Sequence, residues 1–494
     1  MSRKYQNFIN GKWVDAKSGK TFENRNPANW DEVLSTFPLS SREDVDEAVK
    51  AARTAFESWR LVPAPARGDI LRKVGDLLTA RKEDLAKTMT REMGKVLLET
   101  RGDVQEGIDT AYYAAAEGRR LFGHTVPSEL RNKFNMSIRV PIGVAGVITP
   151  WNFPMAIPTW KVFPALLCGN TIVFKPASDT PETATKLVEI LLEAGIPNGV
   201  LNIVHGGGSQ VGMAIVEHPD VDLISFTGST GVGKKISEVA AKTLKRVSLE
   251  LGGKNAQIVM DDARLDLALE GVLWGAFGTT GQRCTATSRL IVHEKVYDKF
   301  MSMLVDKTKK LRLGDGLQST TDVGPLVNQG QVETVDSYVK IGSNEGAKVL
   351  TGGKRASGNG LNKGWFYEPT VLGEVTPTMR VATEEIFGPV LSVIRVKNIT
   401  EAINVANGTK YGLSSAVYTQ DINNAYQAIR DIKAGITYIN APTIGAEAHM
   451  PFGGVKETGN GHREGGWTVY EFFSEWKTVY VDYSGKLQRA QIDT

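Results

Sequence analysis

Apolar residues recur at helical spacing over residues 43–58 (EDVDEAVKAARTAFES) and again over 64–93, which predicts amphipathic helices near the start of the chain. Residues 143–149 (GVAGVIT) and 171–174 (TIVF) are short unbroken apolar runs and predict buried strands. Thr180-Pro181-Glu182 then carries a helix start: Thr can cap, Pro fits the first turn, and Glu suits the positive end. That helix is expected to run to about Ala194 and stop at Gly195. Val221–Thr227 is strand-like again, and Gly228-Ser-Thr-Gly-Val-Gly233 leads into another helical stretch. Strand, turn and helix in this alternation predict parallel βαβ units and an α/β fold. Residues 255–260 (NAQIVM) and 286–293 open a second α/β region. The Gly-rich polar stretch 351–364 predicts an exposed loop. Residues 476–483 (WKTVYVDY) alternate like a strand, and a lone terminal strand needs a sheet to join, in its own chain or in a neighbouring subunit.

Length and composition narrow the function classes. A chain of 494 residues holds roughly two to four domains. Apolar residues make up 41% and charged residues 23%, which is ordinary for a globular protein. The net charge of +3 gives no argument for binding nucleic acid or a membrane surface. Only two cysteines occur, Cys168 and Cys284, so a disulfide-stapled secreted scaffold is excluded. No HxxxH or CxxC spacing suggests a metal site, and none is expected. The first fifteen residues lack the apolar core of a signal peptide, and no run of 18 apolar residues exists, so a cytoplasmic address is expected.

Four short stretches have candidate chemistry. In Gly281-Gln-Arg283-Cys284 a thiol follows a tight turn and a cation that could favour its thiolate, the competent nucleophile. A structural buried thiol is the plainer reading, and the one that fits Cys168 in its apolar run. In Leu249-Glu250-Leu-Gly-Gly-Lys254 an acid sits between leucines. Burial would raise its pKa toward that of a general base, whereas on a loop it would be a solvated charge. Thr149-Pro-Trp151-Asn152-Phe153-Pro154 is a rigid loop just after a strand, and its Asn could aim an amide at a developing oxyanion or simply shape a turn. The turn at Gly228 and Ser229 offers bare N–H groups and a helix end to a diphosphate, although it matches neither GxGxxG nor a P-loop.

These pieces stand in one order: PWNFP, KPASDTP, FTGSTGVG, LELGGK, GQRC, EEIFGP and PFGG. Together they resemble the aldehyde dehydrogenase superfamily from about residue 7 to 483. The resemblance implies a Rossmann-like nucleotide domain (1–124 and 143–250), an α/β catalytic domain (251–470), and a small β oligomerisation arm (125–142 and 471–494) serving a homodimer or homotetramer. It implies that Cys284 attacks the aldehyde, that Asn152 and the Cys284 backbone N–H hold the oxyanion, and that Glu250 activates the water that releases the acid. By position, Ile148, Trp151, Gly228 and Ser229 match the cofactor cleft, Lys175 the lysine on the adenosine ribose, and Glu385 and Phe387 the pair at the nicotinamide ribose.

Three residues after Lys175, NAD-preferring relatives often carry Glu. Ser178 stands there instead, which leaves room for a 2′-phosphate and predicts that NADP is accepted or preferred, with NAD usable. The loop 440–452 resembles that of ketoglutaric and aminoadipic semialdehyde dehydrogenases. There the Gly445 and Ala446 amides would hold a distal carboxylate, with Arg283 adding charge, Glu106 matching an acid of the aminoadipic enzymes, and Phe153 and Phe452 lining the pocket. The expected substrate is a carboxylate-bearing semialdehyde such as 2,5-dioxopentanoate. A broad-range aliphatic or aromatic aldehyde dehydrogenase is the alternative. A CoA-acylating relative would not need Glu250, a non-catalytic structural relative would be expected to lose Cys284, Glu250 or Asn152, and a thiol hydrolase leaves the nucleotide residues without a job.

Overall fold

The strands Val144–Ile148, Thr171–Lys175 and Leu223–Thr227 bury almost every side chain, as parallel strands covered on both faces do. In the computed structural model, which describes residues 3–358 and 360–492, these strands pair in parallel. Ile148 lies opposite both Lys175 and Phe226, and Thr227 lies opposite Glu250, the last residue of the strand Arg246–Glu250. Leu201–Ile203 and the N-terminal hairpin Asn7–Ile9/Lys12–Val14 complete a seven-stranded sheet. The carboxyl ends of the central strands therefore line up along one edge, where open α/β sheets place their ligand crevice.

The helices follow their apolar stripes. Arg42–Trp59 begins at Ser41, whose N–H donates to Asp44 Oδ2 at 2.9 Å, and it buries Val45, Ala48, Val49 and Ala52. The stretch 64–93 is two helices, Ala64–Ala80 and Lys82–Met93, broken at Arg81, where the backbone leaves the helical region. The break lets Leu71, Val74 and Leu78 of one helix share a core with Leu85 and Met89 of the next, a tertiary demand that periodicity does not carry.

Pro181–Ala194 begins and ends as expected, with Gly195 at φ 108°, but Thr180 does not cap it. Its hydroxyl has no partner, and the buried carboxylate of Glu92 accepts from Glu182 N (2.9 Å) and Thr183 N (2.8 Å) instead.

Asn255–Val259 and Thr287–His293 are the centre of a second seven-stranded sheet, with Ser414–Tyr418 and Ile436–Ile439 on one side and Val390–Val396, Thr370–Gly373 and Lys348–Thr351 on the other. Much of 351–364 is irregular, and Arg355 is tied to the N-terminal region by lying over the rings of Trp30 and Trp365. The C-terminal strand Ser474–Asp482 finds its partner in its own chain. It runs antiparallel to Lys133–Pro141 over its whole length, and His124–Pro127 forms the third strand. Among the described residues no helix is long and apolar enough to cross a membrane.

Candidate active site

A cavity of about 230 Å³ opens at the strand ends, lined by Trp151, Asn152, Gly228, Ser229, Gly252, Cys284, Glu385 and Phe387 among others. Five sequence-distant motifs thus meet at one place. Each is positioned by local backbone. Ile148 ends its strand, and the Pro150–Pro154 loop follows at once. Asn152 is buried, and its Nδ2 donates to the Gln282 carbonyl at 3.1 Å, which links this loop to the residues just before Cys284. Ser229 precedes the helix Thr230–Ala241, so that helix's positive end and the Gly228 turn face the cavity. Gly228 N in turn donates to the Glu250 carbonyl at 3.0 Å.

Cys284 sits after a turn with unusual backbone. Thr279 (φ 52°) and Thr280 (φ 57°) are β-branched residues in the left-handed region, and Gly281 follows at φ 68°. A side chain at Gly281 would strike the Gly388 carbonyl. Asn255 Nδ2 fixes the other side of the turn by donating to the Cys284 carbonyl at 2.8 Å.

The electrostatics differ from the expectation that Arg283 would favour the thiolate. Burial, together with the carboxylates of Glu385 and Glu250, pushes the Cys284 thiol up to about 12. Arg283 gives its charge to Glu99 at 2.8 Å. Cys168, as expected, is buried core, its thiol also pushed up to about 12 by burial.

Glu250 is buried, and neither carboxyl oxygen has a hydrogen-bond partner. Burial, and then the neighbouring Glu464, hold its pKa well above the usual carboxylate range, while Lys161 and Arg463 oppose the shift. The reading of a solvated loop charge is thereby overturned. A side chain at Gly453, whose φ is 149°, would strike Glu250 Oε1, so the backbone packs against the acid. Lys161 and Glu464 escaped the sequence reading. They form a fully buried ion pair at 2.5 Å, with Lys161 Nζ also 3.0 Å from Ser225 Oγ. Only the third dimension brings these residues, 303 positions apart, beside Glu250.

Glu385 accepts from Gly253 N at 2.9 Å, and burial raises its pKa to about 7. Phe387 holds a left-handed φ of 59°, with its carbonyl accepting from Gln331 Nε2 at 2.8 Å, and its ring meets Trp151 edge-on at 5.4 Å. Gln331 also lines the cavity, without any motif to announce it. Lys175 and Ser178 lie outside the Cys284 cavity, at and just beyond the end of the next strand. Lys175 is buried, which lowers its pKa to about 8, and Ser178 Oγ donates to the Gly206 carbonyl at 3.2 Å.

The remaining residues do not come together in one place. Glu106 and Ala446 line a separate pocket of about 470 Å³ with Asp109, Glu447 and His449. Burial and then Asp103 raise the Glu106 carboxyl to about 8, against the pull of Lys95 and Arg283. Gly445 is exposed, and its carbonyl accepts from Tyr438 Oη at 2.8 Å. Phe452 is buried against Trp160, ring to ring at 4.8 Å. Phe153 has Lys95 Nζ 3.4 Å over its ring. Among the described residues no group of three or more His, Cys, Asp or Glu is arranged to hold a metal ion.

A family model, "Aldehyde dehydrogenase family", matches residues 13–479, nearly the whole chain. The chain belongs to the aldehyde dehydrogenase family. It is 43% identical to the alpha-ketoglutaric semialdehyde dehydrogenase of Bacillus subtilis (strain 168), over 97% of this chain and 98% of that one. It is also 43% identical to aldehyde dehydrogenase 1A1 of Rattus norvegicus, over 97% and 95%. Among solved structures, betaine aldehyde dehydrogenase from Staphylococcus aureus in complex with NAD+ superimposes with a TM-score of 0.95 at 36% identity, covering 98% of this chain and 96% of that one. The fold is therefore that of the family, and the chain is an oxidoreductase acting on an aldehyde.

Proposed function

We propose that Cys284 gives its thiol proton to solvent and attacks the aldehyde carbon as the thiolate, that Asn152 Nδ2 and the Cys284 N–H hold the resulting oxyanion, and that Glu250 takes a proton from the water that hydrolyses the acyl-Cys284 thioester, with Cys284 leaving as the thiolate. The observation that carries this reading is the meeting of Cys284 and Asn152 in one cavity, with the unpartnered Glu250 carboxylate close enough to raise the thiol. A neutral amide donor suits an oxyanion that forms and collapses, and losing one such donor costs about 3–4 kcal/mol in the barrier. A buried acid with no competing hydrogen bond is free to accept the water proton.

The helix end at Ser229, the Gly228 turn and the Glu385–Phe387 segment suit a nicotinamide dinucleotide, its diphosphate at the helix end and its ribose hydroxyls within reach of Glu385. When bound, that group would supply the hydride acceptor for oxidation of the thiohemiacetal to the thioester. Lys175 and Ser178, at and just beyond the end of the strand Thr171–Lys175, would take the adenosine end. Ser178 brings no negative charge to repel a 2′-phosphate, and Lys175 adds attraction. NADP and NAD are both expected to support turnover, with NADP accepted or preferred. Replacing Ser178 by Glu should shift the ratio of kcat/KM values toward NAD by on the order of tenfold or more. Strict NAD use by the unaltered enzyme contradicts this reading.

The substrate is a semialdehyde with a second carboxylate, such as 2,5-dioxopentanoate. The Bacillus relative supports it, and so does the pocket that Ala446 and Glu106 line together. Arg283 is taken up by Glu99, so the Gly445–Ala446 amides and a protonated Glu106 are the donors left for the distal end. The test is a turnover panel of carboxylate-bearing against neutral aldehydes across pH. Below pH 8 Glu106 is neutral and donates, and above it the carboxylate repels an anion. KM for the anionic aldehyde should rise as pH passes about 8, whereas KM for a neutral aldehyde should not respond. A preference for long aliphatic or aromatic aldehydes favours the broad-range reading instead.

A further inference from the structure

Arg283 and Glu99 form a contact that the chemistry above leaves without a job. Glu99 lies in the first turn of the helix Leu97–Glu117, 184 positions from Arg283 in sequence, and both side chains are about 11% exposed. The Glu99 carboxylate does two things at once. Both its oxygens accept from Thr279 N, at 2.8 and 2.9 Å, and Oε1 also accepts from the Arg283 guanidinium at 2.8 Å. Arg283 Nε closes the ring by donating to Thr279 Oγ1 at 2.9 Å. The backbone comes close as well: a side chain at Gly278 would approach Glu99 Oε1 to 2.8 Å.

Thr279 is the residue whose left-handed backbone begins the turn to Cys284. A β-branched residue persists in that region only where its surroundings over-determine it. The same guanidinium lies 5.4 Å from the Phe153 ring centroid and 5.9 Å from that of Trp274. Phe153 follows Asn152, and Lys95 covers the Phe153 ring. Lys95 is held by Asp103 at 2.7 Å, and Asp103 accepts from Ala156 N at 2.7 Å, just past the Asn152 loop. One ion pair thus joins the helix Leu97–Glu117, the nucleophile turn and the loop of the oxyanion donor.

We propose that Glu99 and Arg283 are a positioning pair, which holds the Thr279–Thr280 turn in its left-handed form and keeps Cys284 in line with the Asn152 amide. Arg283 is then a structural brace of the reacting geometry rather than a contact for the substrate carboxylate. The inference rests on the reading of Cys284 as nucleophile. That reading has its own control in the unaltered enzyme, where iodoacetamide labelling of Cys284 and loss of activity must run in parallel.

The experiment compares Glu99→Gln, Glu99→Ala, Arg283→Met and the double variant Glu99→Gln/Arg283→Met in the full enzyme. Glu99→Gln keeps an oxygen for Thr279 N–H and loses only the ion pair, so it is the mildest for folding. For the single variants kcat should fall on the order of 10- to 100-fold, the effect of an ångström-scale misplacement. KM should stay within about twofold for anionic and neutral aldehydes alike, by the same reasoning that positioning acts on kcat. The double variant should be no worse than the poorer single one, because the two residues act as a unit. Tm and dinucleotide affinity, read by tryptophan fluorescence, should hold in Glu99→Gln while kcat falls.

Three results would overturn the proposal. A selective rise in KM for the carboxylate-bearing aldehyde in Arg283→Met makes that residue a substrate contact. Unchanged kcat in every variant makes the pair inert, and a lowered Tm with kcat preserved makes it merely structural.

Discussion

Cys284→Ala abolishes aldehyde oxidation, lowering kcat/KM on the order of 10⁵- to 10⁶-fold, as removing an essential nucleophile does. The side chain lines the cavity rather than the core, so fold and dinucleotide binding survive. Fluorescence titration checks binding, and formation of reduced dinucleotide checks turnover. The thiol's environment adds a second observable. An ordinary cysteine ionises near pH 8.5, so its alkylation rate levels off soon above that value. Burial and the carboxylates of Glu385 and Glu250 push Cys284 to about 12. Its labelling by iodoacetamide in the free enzyme should keep climbing, close to tenfold per pH unit, from pH 8 to beyond 10. A plateau near pH 9 would mean that burial and the two carboxylates do not hold the thiol up.

Glu250→Gln separates the two halves of the reaction. The first half needs the thiol and the oxyanion donors; the second needs a base for water. With Gln at 250, steady-state turnover should drop on the order of 10²- to 10⁴-fold, the range for losing a general base. Rapid mixing should nevertheless show a burst of reduced dinucleotide approaching one per active site. Gln matches Glu in size, so Gly453 still packs against it, and the change removes the titration without opening a void.

The pH dependence follows from the raised pKa of Glu250. The protonated acid cannot act as base, so thioester hydrolysis loses rate as pH falls through that pKa, well above the 4.3 or so of a free glutamate. In the glutamine variant this limb of the profile should vanish. Equal loss of burst and steady state would place Glu250 in the first half instead.

The sequence made the strand-end chemistry legible because each motif is local. Val144–Ile148 and the Trp151–Phe153 loop, Leu223–Thr227 and the Ser229 turn, and Glu250 at the end of its strand are each a few residues whose burial and backbone follow from neighbours. What it hid was set by partners far along the chain. Glu92 replaced Thr180 as helix cap from 90 positions away. Lys161 and Glu464 met beside Glu250, and Glu99 claimed the guanidinium of Arg283 that the local tetrapeptide offered to Cys284. The break at Arg81 belongs to the same kind, since packing two helices on one core decided it. Charge placement, rather than fold, is what local patterning carried least well.

A covalent acyl group on one sulfur is the central step, and intact-mass spectrometry of the Glu250→Gln enzyme, quenched in acid after mixing with semialdehyde and oxidised dinucleotide, tests it most directly. The predicted result is a mass increase of one acyl group per subunit, mapped by proteolysis to the peptide bearing Cys284 and absent when the dinucleotide is omitted. Reduced dinucleotide formed in full with Cys284 unmodified, or the acyl group found on Cys168, would contradict it.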